Sequence, residues 1–183
     1  SDGTVVTWGL PVNGGDSSSV QSQLTNVTDI VYTYDAFAAL KSNGTVVTWG
    51  NANSGNGANS SLVQSQLTNV IKLHSTQGAF AALKSDGTVV AWGNGFFGGD
   101  VNSASSTYTA YPNGKVDLYN IVKIYGSNHV FLALRSDNAI ITWGASGYGA
   151  TLDSTIRSQL AAAGKIINVI SGSITIGVLT EAG

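Results

Sequence analysis

The chain has 183 residues, 43% of them apolar, enough for one domain with a sizeable core, yet only 10% are charged, against roughly 25% in typical soluble domains. Eight Lys plus Arg, scattered singly against ten Asp plus Glu, leave a net charge of −2, which argues against nucleic acid or an anionic membrane surface as partner. There is no Cys and no Met, and no apolar run reaches the roughly 18 residues that a membrane helix needs.

In chain order, Thr4-Val5-Val6-Thr7-Trp8 reads as a strand, followed by a connector over 10–28. Within it Gly14-Gly15-Asp16 precedes Ser17-Ser18-Ser19-Val20-Gln21-Ser22-Gln23-Leu24, where serines ahead of the apolar residues predict an N-cap and one or two helical turns. Asp29–Thr33 is a short β-branched and aromatic run, Tyr34-Asp35 a turn, and Ala36–Lys41 a second strand. Ser42-Asn43-Gly44 then predicts a hairpin with positive φ at both central residues, leading into a third strand, Thr45–Trp49. The same series returns after the connector 51–70, which carries Ser60-Ser61-Leu62-Val63-Gln64-Ser65-Gln66-Leu67, and again after the connector 94–119. That third connector is the longest and holds Tyr108, Tyr111 and Pro112. In the last connector, 145–165, Asp153 to Ala163 predicts a helix closed by Gly164 as its C-cap. Ile166–Leu179 reads as two strands around a turn.

The series is a repeat. Ser-Asp-Gly-Thr-Val-Val-Thr-Trp-Gly at 1–9 returns at 42–50, 85–93 and, in worn form, 136–144. Between the turn positions Gly3, Gly44, Gly87, Asn138 and Gly183 the steps are 41, 43, 51 and 45 residues. Such a period marks a solenoid, a propeller or an array. The units are 1–9 plus 166–183, 29–50, 71–93 and 120–144, in one repeat domain. In the third strand Val46 and Trp49 fall on opposite faces with Val47 beside Trp49, so each small sheet needs a neighbour on both sides. Trp8, Trp49, Trp92 and Trp143, with Phe37, Phe80 and Phe131, are the expected core of the repeat. The Ala-rich second strands allow sheets to approach closely.

Ala82-Leu83-Lys84-Ser85-Asp86-Gly87-Thr88-Val89-Val90-Ala91-Trp92-Gly93 resembles the repeat of the regulator of chromosome condensation family of β-propellers. The likeness recurs at Ala39 and Ala133 and spans the chain, while Gly14 to Val20 is similar to repeats of large bacterial surface proteins. The resemblance implies blades of about 50 residues, seven to a ring, and roles in partner binding. This chain has four units, three of them with shorter steps (41, 43 and 45 residues), and the guanine-nucleotide exchange activity of some members is not carried over.

The expected fold is therefore all-β: a propeller of four blades with three or four antiparallel strands each and short helical connectors. Because the chain starts with a third strand and stops after a second, Thr4–Trp8 is expected to complete the last unit beside Ile174–Leu179. It would do so within the molecule, closing a four-bladed ring, or between molecules, building head-to-tail fibres; the third alternative is a piece of a longer array, in which the match of the two ends is a boundary choice.

Catalytic and metal chemistry find no pattern. His74 and His129 sit in different phases of the repeat with no zinc-type spacing. Gly14-Gly15-Asp16 and Gly98-Gly99-Asp100 supply one carboxylate per loop, which suits a turn better than calcium. No nucleophile elbow and no repeated carboxylate pair point to a hydrolase. No cofactor is expected. Phe96, Phe97, Tyr108, Tyr111 and Tyr148, in the irregular parts, are candidate contact residues, while Asn26, Asn43 and Asn59 head Asn-x-Ser/Thr triplets that would accept glycans in a secreted setting. The functional expectation is a non-enzymatic structural or binding module of an extracellular or cell-surface protein. Its partner would be a second copy, or a protein or glycan on the loop face.

Overall fold

The computed structural model describes residues 3–52, 55, 57–101, 106–107, 118–173 and 175–181. Its strands form four small antiparallel sheets in chain order. The first holds β1 (Val27–Tyr32), β2 (Ala36–Lys41) and β3 (Val46–Gly50), and the second β4 (Val70–Ser75), β5 (Ala79–Lys84) and β6 (Val89–Gly93). In the third, a two-residue β7 (Ser106–Thr107) pairs with β10 (Ile140–Gly144), beyond β9 (Val130–Arg135) and β8 (Ile121–Gly126). The fourth has two strands only, β11 (Ile166–Ser171) and β12 (Ile176–Thr180).

Register is the same throughout. Phe37 faces Trp49, Phe80 faces Trp92 and Phe131 faces Trp143, and a one-residue irregularity sits at the start of every first strand. The hairpin turns follow turn chemistry with one difference from the sequence expectation. Only the last turn residue is left-handed (Gly44 φ +77°, Gly87 φ +78°, Asn138 φ +71°). Gly44 N–H donates to the Lys41 carbonyl and Lys41 N–H to the Thr45 carbonyl, while Asn43 Oδ1 accepts from Thr45 N–H. This is a type I turn followed by a left-handed residue, the usual three-residue hairpin connection.

The sheets stack face to face, and the core lies between them in layers. Leu40, Val46, Leu73, Phe80 and Trp92 fill the first interface between sheets, and Ala79, Ala81, Ile124, Phe131 and Trp143 the second. Leu132, Ile140, Ile166 and Val169 fill the third. Each alanine-bearing second strand is buried from both sides, as Ala38, Ala39, Ala81 and Ala82 show with no exposed surface. Full burial of one such Phe or Leu is worth about 1.5–3 kcal/mol, so no sheet is stable without its neighbour.

In the first two connectors the serine-led segment makes one helical turn, of the 3-10 type, but the serines do not cap it. Gln21–Gln23 and Gln64–Gln66 make single 3-10 turns whose N-caps, Val20 and Val63, carry no side-chain cap. Ser17 and Ser60 instead donate their hydroxyls to Gln21 and Gln64 Oε1. Each Gln then donates from Nε2 to the carbonyl of the preceding third strand, Val5 and Val46 respectively. The one α-helix among the described residues, α1 (Ser154–Ala162), is capped by Asp153 as expected, but its C-cap is Ala163 in extended backbone, so Gly164 lies beyond the end.

The arc is open. Residues 4–8 do not pair with β12, which corrects the expectation of closure within the molecule. They lie on the outer face of the first sheet, where Val5 packs with Leu24, Val47 and Trp49. Gly3 accepts from Val27 N–H as Gly44 does from Val70 N–H and Gly87 from Ile121 N–H. The physical reason is local. The connector after every third strand folds back on it and ties it to the following sheet, so residues 4–8 are held at the opposite end of the arc from β12.

Candidate binding surface

Three features could meet a partner. At one end of the blades the turns between first and second strands line up and are joined by backbone. Tyr34 N–H donates to the Gln77 carbonyl (2.8 Å), and Gln77 N–H to the Asn128 carbonyl (2.9 Å). Thr33, Thr76 and Ser127 turn their hydroxyls inward to the carbonyls of Ala36, Ala79 and Val130, which stiffens each turn. Along this row runs an open groove of about 610 Å³ lined by residues of all four sheets, among them Tyr34, Gln77, Asn128 and Ser173. It carries no charged side chain, and Tyr34 is 83% exposed at its rim.

Beside the groove stands an aromatic shelf. Tyr148 stacks on His129 (centroids 4.2 Å apart, planes at 8°), and Phe97 leans on the other side of that imidazole at 5.3 Å. Phe96 meets Phe97, His129 and Tyr148 edge-on. Phe97 is held in place because its carbonyl accepts from the Thr76 hydroxyl and its ring covers Gly78. Phe96 is 55% exposed. The shelf thus joins three of the sequence-selected contact residues with His129, which no sequence pattern marked as a contact residue. Tyr108 and Tyr111 lie outside the described residues. His129 Nδ1 is buried with no hydrogen-bond partner.

The third feature is the tryptophan layer, which has one exposed member. In each of the first three sheets the tryptophan ring packs on the phenylalanine ring, with centroids 5.1–5.3 Å apart. Its indole N–H donates to a glycine carbonyl in the preceding connector: Trp49 to Gly14, Trp92 to Gly57, Trp143 to Gly98, at 2.9–3.0 Å. Gly14, Gly57 and Gly98 have φ of +92° to +95° and press so close to Phe37, Phe80 and Phe131 that no Cβ fits. Gly149 holds the same place in the fourth unit, with φ +102° against Ile176. Trp49, Trp92 and Trp143 are buried, whereas Trp8, expected with them in the core, is 84% exposed because no second strand lies beside it. A residue-level signal for these glycines was present in the Gly14-Gly15 and Gly98-Gly99 pairs that follow Trp8-Gly9 and Trp92-Gly93.

The carboxylates serve the fold. Asp29 pairs with Lys72 across two sheets (2.7 Å), Asp35 accepts from Asn51, and Asp153 caps α1. Asp16 and Asp86 accept from their own loops, which lowers both below the usual carboxylate range. Asp137 chelates the buried Arg135 guanidinium, whose hydrogen bonds hold it down to about 2. Burial, with Lys72 nearby, pushes His74 down to about 4, so it is neutral at pH 7. Among the described residues no three His, Asp or Glu side chains gather as a metal site. Asn26, Asn43 and Asn59 are all exposed; Asn26 adopts φ +55°, as Asn69 and Asn120 do before their strands.

No family-level profile and no curated protein sequence matches the chain. Solved structures do. Yeast RCC1 (Prp20), in its complex with Kap60, superposes with a TM-score of 0.57 at 21% identity, covering 85% of this chain and 40% of that one. Human WBSCR16 superposes at 0.53 and 17% identity, over 86% of this chain and 45% of that one. The fold is that of an RCC1-like β-propeller. The chain spans less than half the length of either structure, and its four sheets form an arc of such a propeller with no closed ring. That curvature also explains why residues 4–8 and β12 do not meet.

Proposed function

We propose that this chain is a non-enzymatic structural and binding module of an extracellular or cell-surface protein, holding a protein partner at the turn end of its blades. The observation that carries the reading is the aromatic shelf of Phe96, Phe97, His129 and Tyr148, rigidly seated and open to solvent beside the row of turns. Rigid, partly exposed aromatics give contact area at little conformational cost and anchor most protein interfaces. The absence of a polar constellation suited to acid–base or nucleophilic work, among the described residues, supports a non-catalytic role. The low charge and the Ser, Thr, Asn and Gly content support the extracellular setting. The yeast neighbour is itself seen holding a protein. A structural role, with copies joining head to tail into a fibre, belongs to the same reading.

The test is selection of peptides from a random display library on the whole chain, followed by affinity measurement on Phe96→Ala and Tyr148→Ala. Both side chains are exposed enough for the fold to survive. A loss of about tenfold or more, on the order of 1.4 kcal/mol, is expected. Unchanged affinity in both variants removes the shelf as the docking site. A second reading, a neutral glycan in the uncharged groove at Tyr34, Gln77 and Asn128, is favoured by that groove's hydroxyl and amide lining. A glycan array probed with wild type and Tyr34→Ala separates the two.

A further inference from the structure

We propose that the aromatic corner of Phe96 and Tyr148, with the uncharged row of Tyr34, Gln77 and Asn128 beside it, receives a proline-rich segment of the protein partner in extended polyproline II form. This rests on the docking reading above and adds to it the chemistry of the partner.

The corner is not a by-product of the repeat. Aligned on Trp8-Gly9, Trp92-Gly93 and Trp143-Gly144, the connectors place Val12, Phe96 and Gly147 at one position and Asn13, Phe97 and Tyr148 at the next, each time ahead of a left-handed glycine. In the turns before β2, β5 and β9, Asp35, Gly78 and His129 correspond in the same way. Asn13, Asp35 and Gly78 show that the fold needs no ring at these places, yet Phe97, Tyr148 and His129 pack there on one another. Gly78 makes the room, since a Cβ would come within 2.6 Å of the Phe97 ring. An exposed apolar cluster that the fold does not require marks a contact surface.

Its shape selects the occupant. Phe96 stands at 87°, 86° and 77° to Phe97, His129 and Tyr148, so the rings meet as a right-angled corner and not as a flat platform. A sugar ring stacks on one broad open face, whereas a compact pyrrolidine ring seats between two walls. The groove adjoins the corner, because Asn128 precedes His129 and the Phe97 carbonyl accepts from Thr76, a residue of the groove lining. Tyr34, Gln77 and Asn128 hold equivalent places in successive turns, tied by backbone bonds of 2.8 and 2.9 Å. Among the described residues no hydrogen bond engages the Gln77 and Asn128 side-chain amides, which leaves both as donors in the groove. Polyproline II is the complementary ligand: it turns once in about three residues, makes no internal hydrogen bonds and presents carbonyl acceptors, while each proline lacks an N–H. The groove has no charged side chain, so a basic or acidic run would lose hydration there with nothing to offset it. A proline-rich segment arrives uncharged and already ordered, and gives up little entropy on docking.

Two displayed peptide libraries separate the partner's chemistry from the docking surface. One holds x-Pro-x-x-Pro-x peptides, the other the same design with alanine for both prolines, and each is selected on the whole chain. The expected result is several-fold greater recovery from the proline library. Its peptides should bind Phe96→Ala and Tyr148→Ala about tenfold more weakly, as anchor residues do, and Asn128→Ala several-fold more weakly. Asn128→Ala keeps the backbone carbonyl that accepts from Gln77, and matched thermal midpoints by circular dichroism confirm that all three variants fold. Equal recovery from both libraries, with binding still lost in Phe96→Ala, overturns the proline segment and leaves the docking surface standing. Peptides that bind the wild type, Phe96→Ala and Tyr148→Ala alike remove both. No binder from either library also overturns the proposal, and binding of cellohexaose, a neutral glucan, in that case assigns the surface to glycans.

Discussion

Replacing tryptophans one at a time measures how differently four copies of one residue are used. Trp92 is 4% exposed, lies 5.3 Å from the Phe80 ring and donates to the Gly57 carbonyl at 2.9 Å. Trp92→Ala empties the layer between the first and second sheets, and losses of about 3–5 kcal/mol attend such truncations. Trp92→Phe keeps much of the ring but leaves the Gly57 carbonyl without its donor, for about 1–2 kcal/mol. Trp8→Ala, made at 84% exposure, should stay within about 0.5 kcal/mol. With a urea slope of about 2 kcal/mol per molar, the midpoint should fall by roughly 1.5–2.5 M for Trp92→Ala and hardly move for Trp8→Ala. Urea titration followed by far-UV circular dichroism, at dilutions where scattering gives the mass of one chain, is the assay. Equal shifts for the two alanine variants would show Trp8 in a core of its own, as in a closed ring, and refute the open arc. A negligible shift for Trp92→Ala would refute the layered packing.

Two further outcomes follow from the same geometry. His74 binds its proton at about pH 4 in the folded chain and at about 6.5 when unfolded, because burial and Lys72 disfavour the cation. Between those values the unfolded state holds more protons, so stability should be level above pH 6.5 and fall by about 2–3 kcal/mol on the way to pH 4. His74→Gln should flatten that slope, and an unchanged pH profile in the variant assigns the loss to other groups. Deleting residues 1–9 should lower amide protection most in β1–β3, since Val5 covers Leu24, Val47 and Trp49. Hydrogen exchange that instead weakens β11 and β12 most would place the segment in the fourth unit.

The strands, their turns and their repetition were legible because the signals are short-range. Asn-Gly or Asp-Gly after an alternating apolar run bends the chain within three residues, whatever lies around it. The layered use of both strand faces was legible too, since Val46, Val47 and Trp49 cannot all face one side. A helical turn in the first two connectors was legible but its cap was not, because Ser17 and Ser60 hydrogen-bond to Gln21 and Gln64 in place of capping backbone N–H groups. The aromatic shelf was half legible. Phe96 and Tyr148 stood out in irregular segments, but His129 became their platform only when two connectors folded over one turn.

By itself, then, the sequence determined the repeating unit, its register and its tryptophan layer, all set by local turn chemistry and side-chain alternation. Only the tertiary structure decided that the sheets stack into an arc and that residues 4–8 rest on the first sheet. Packing between neighbouring sheets decides those matters. It arises from how Phe, Trp and Ala interlock across each layer, a property of contacts between units that no single repeat encodes.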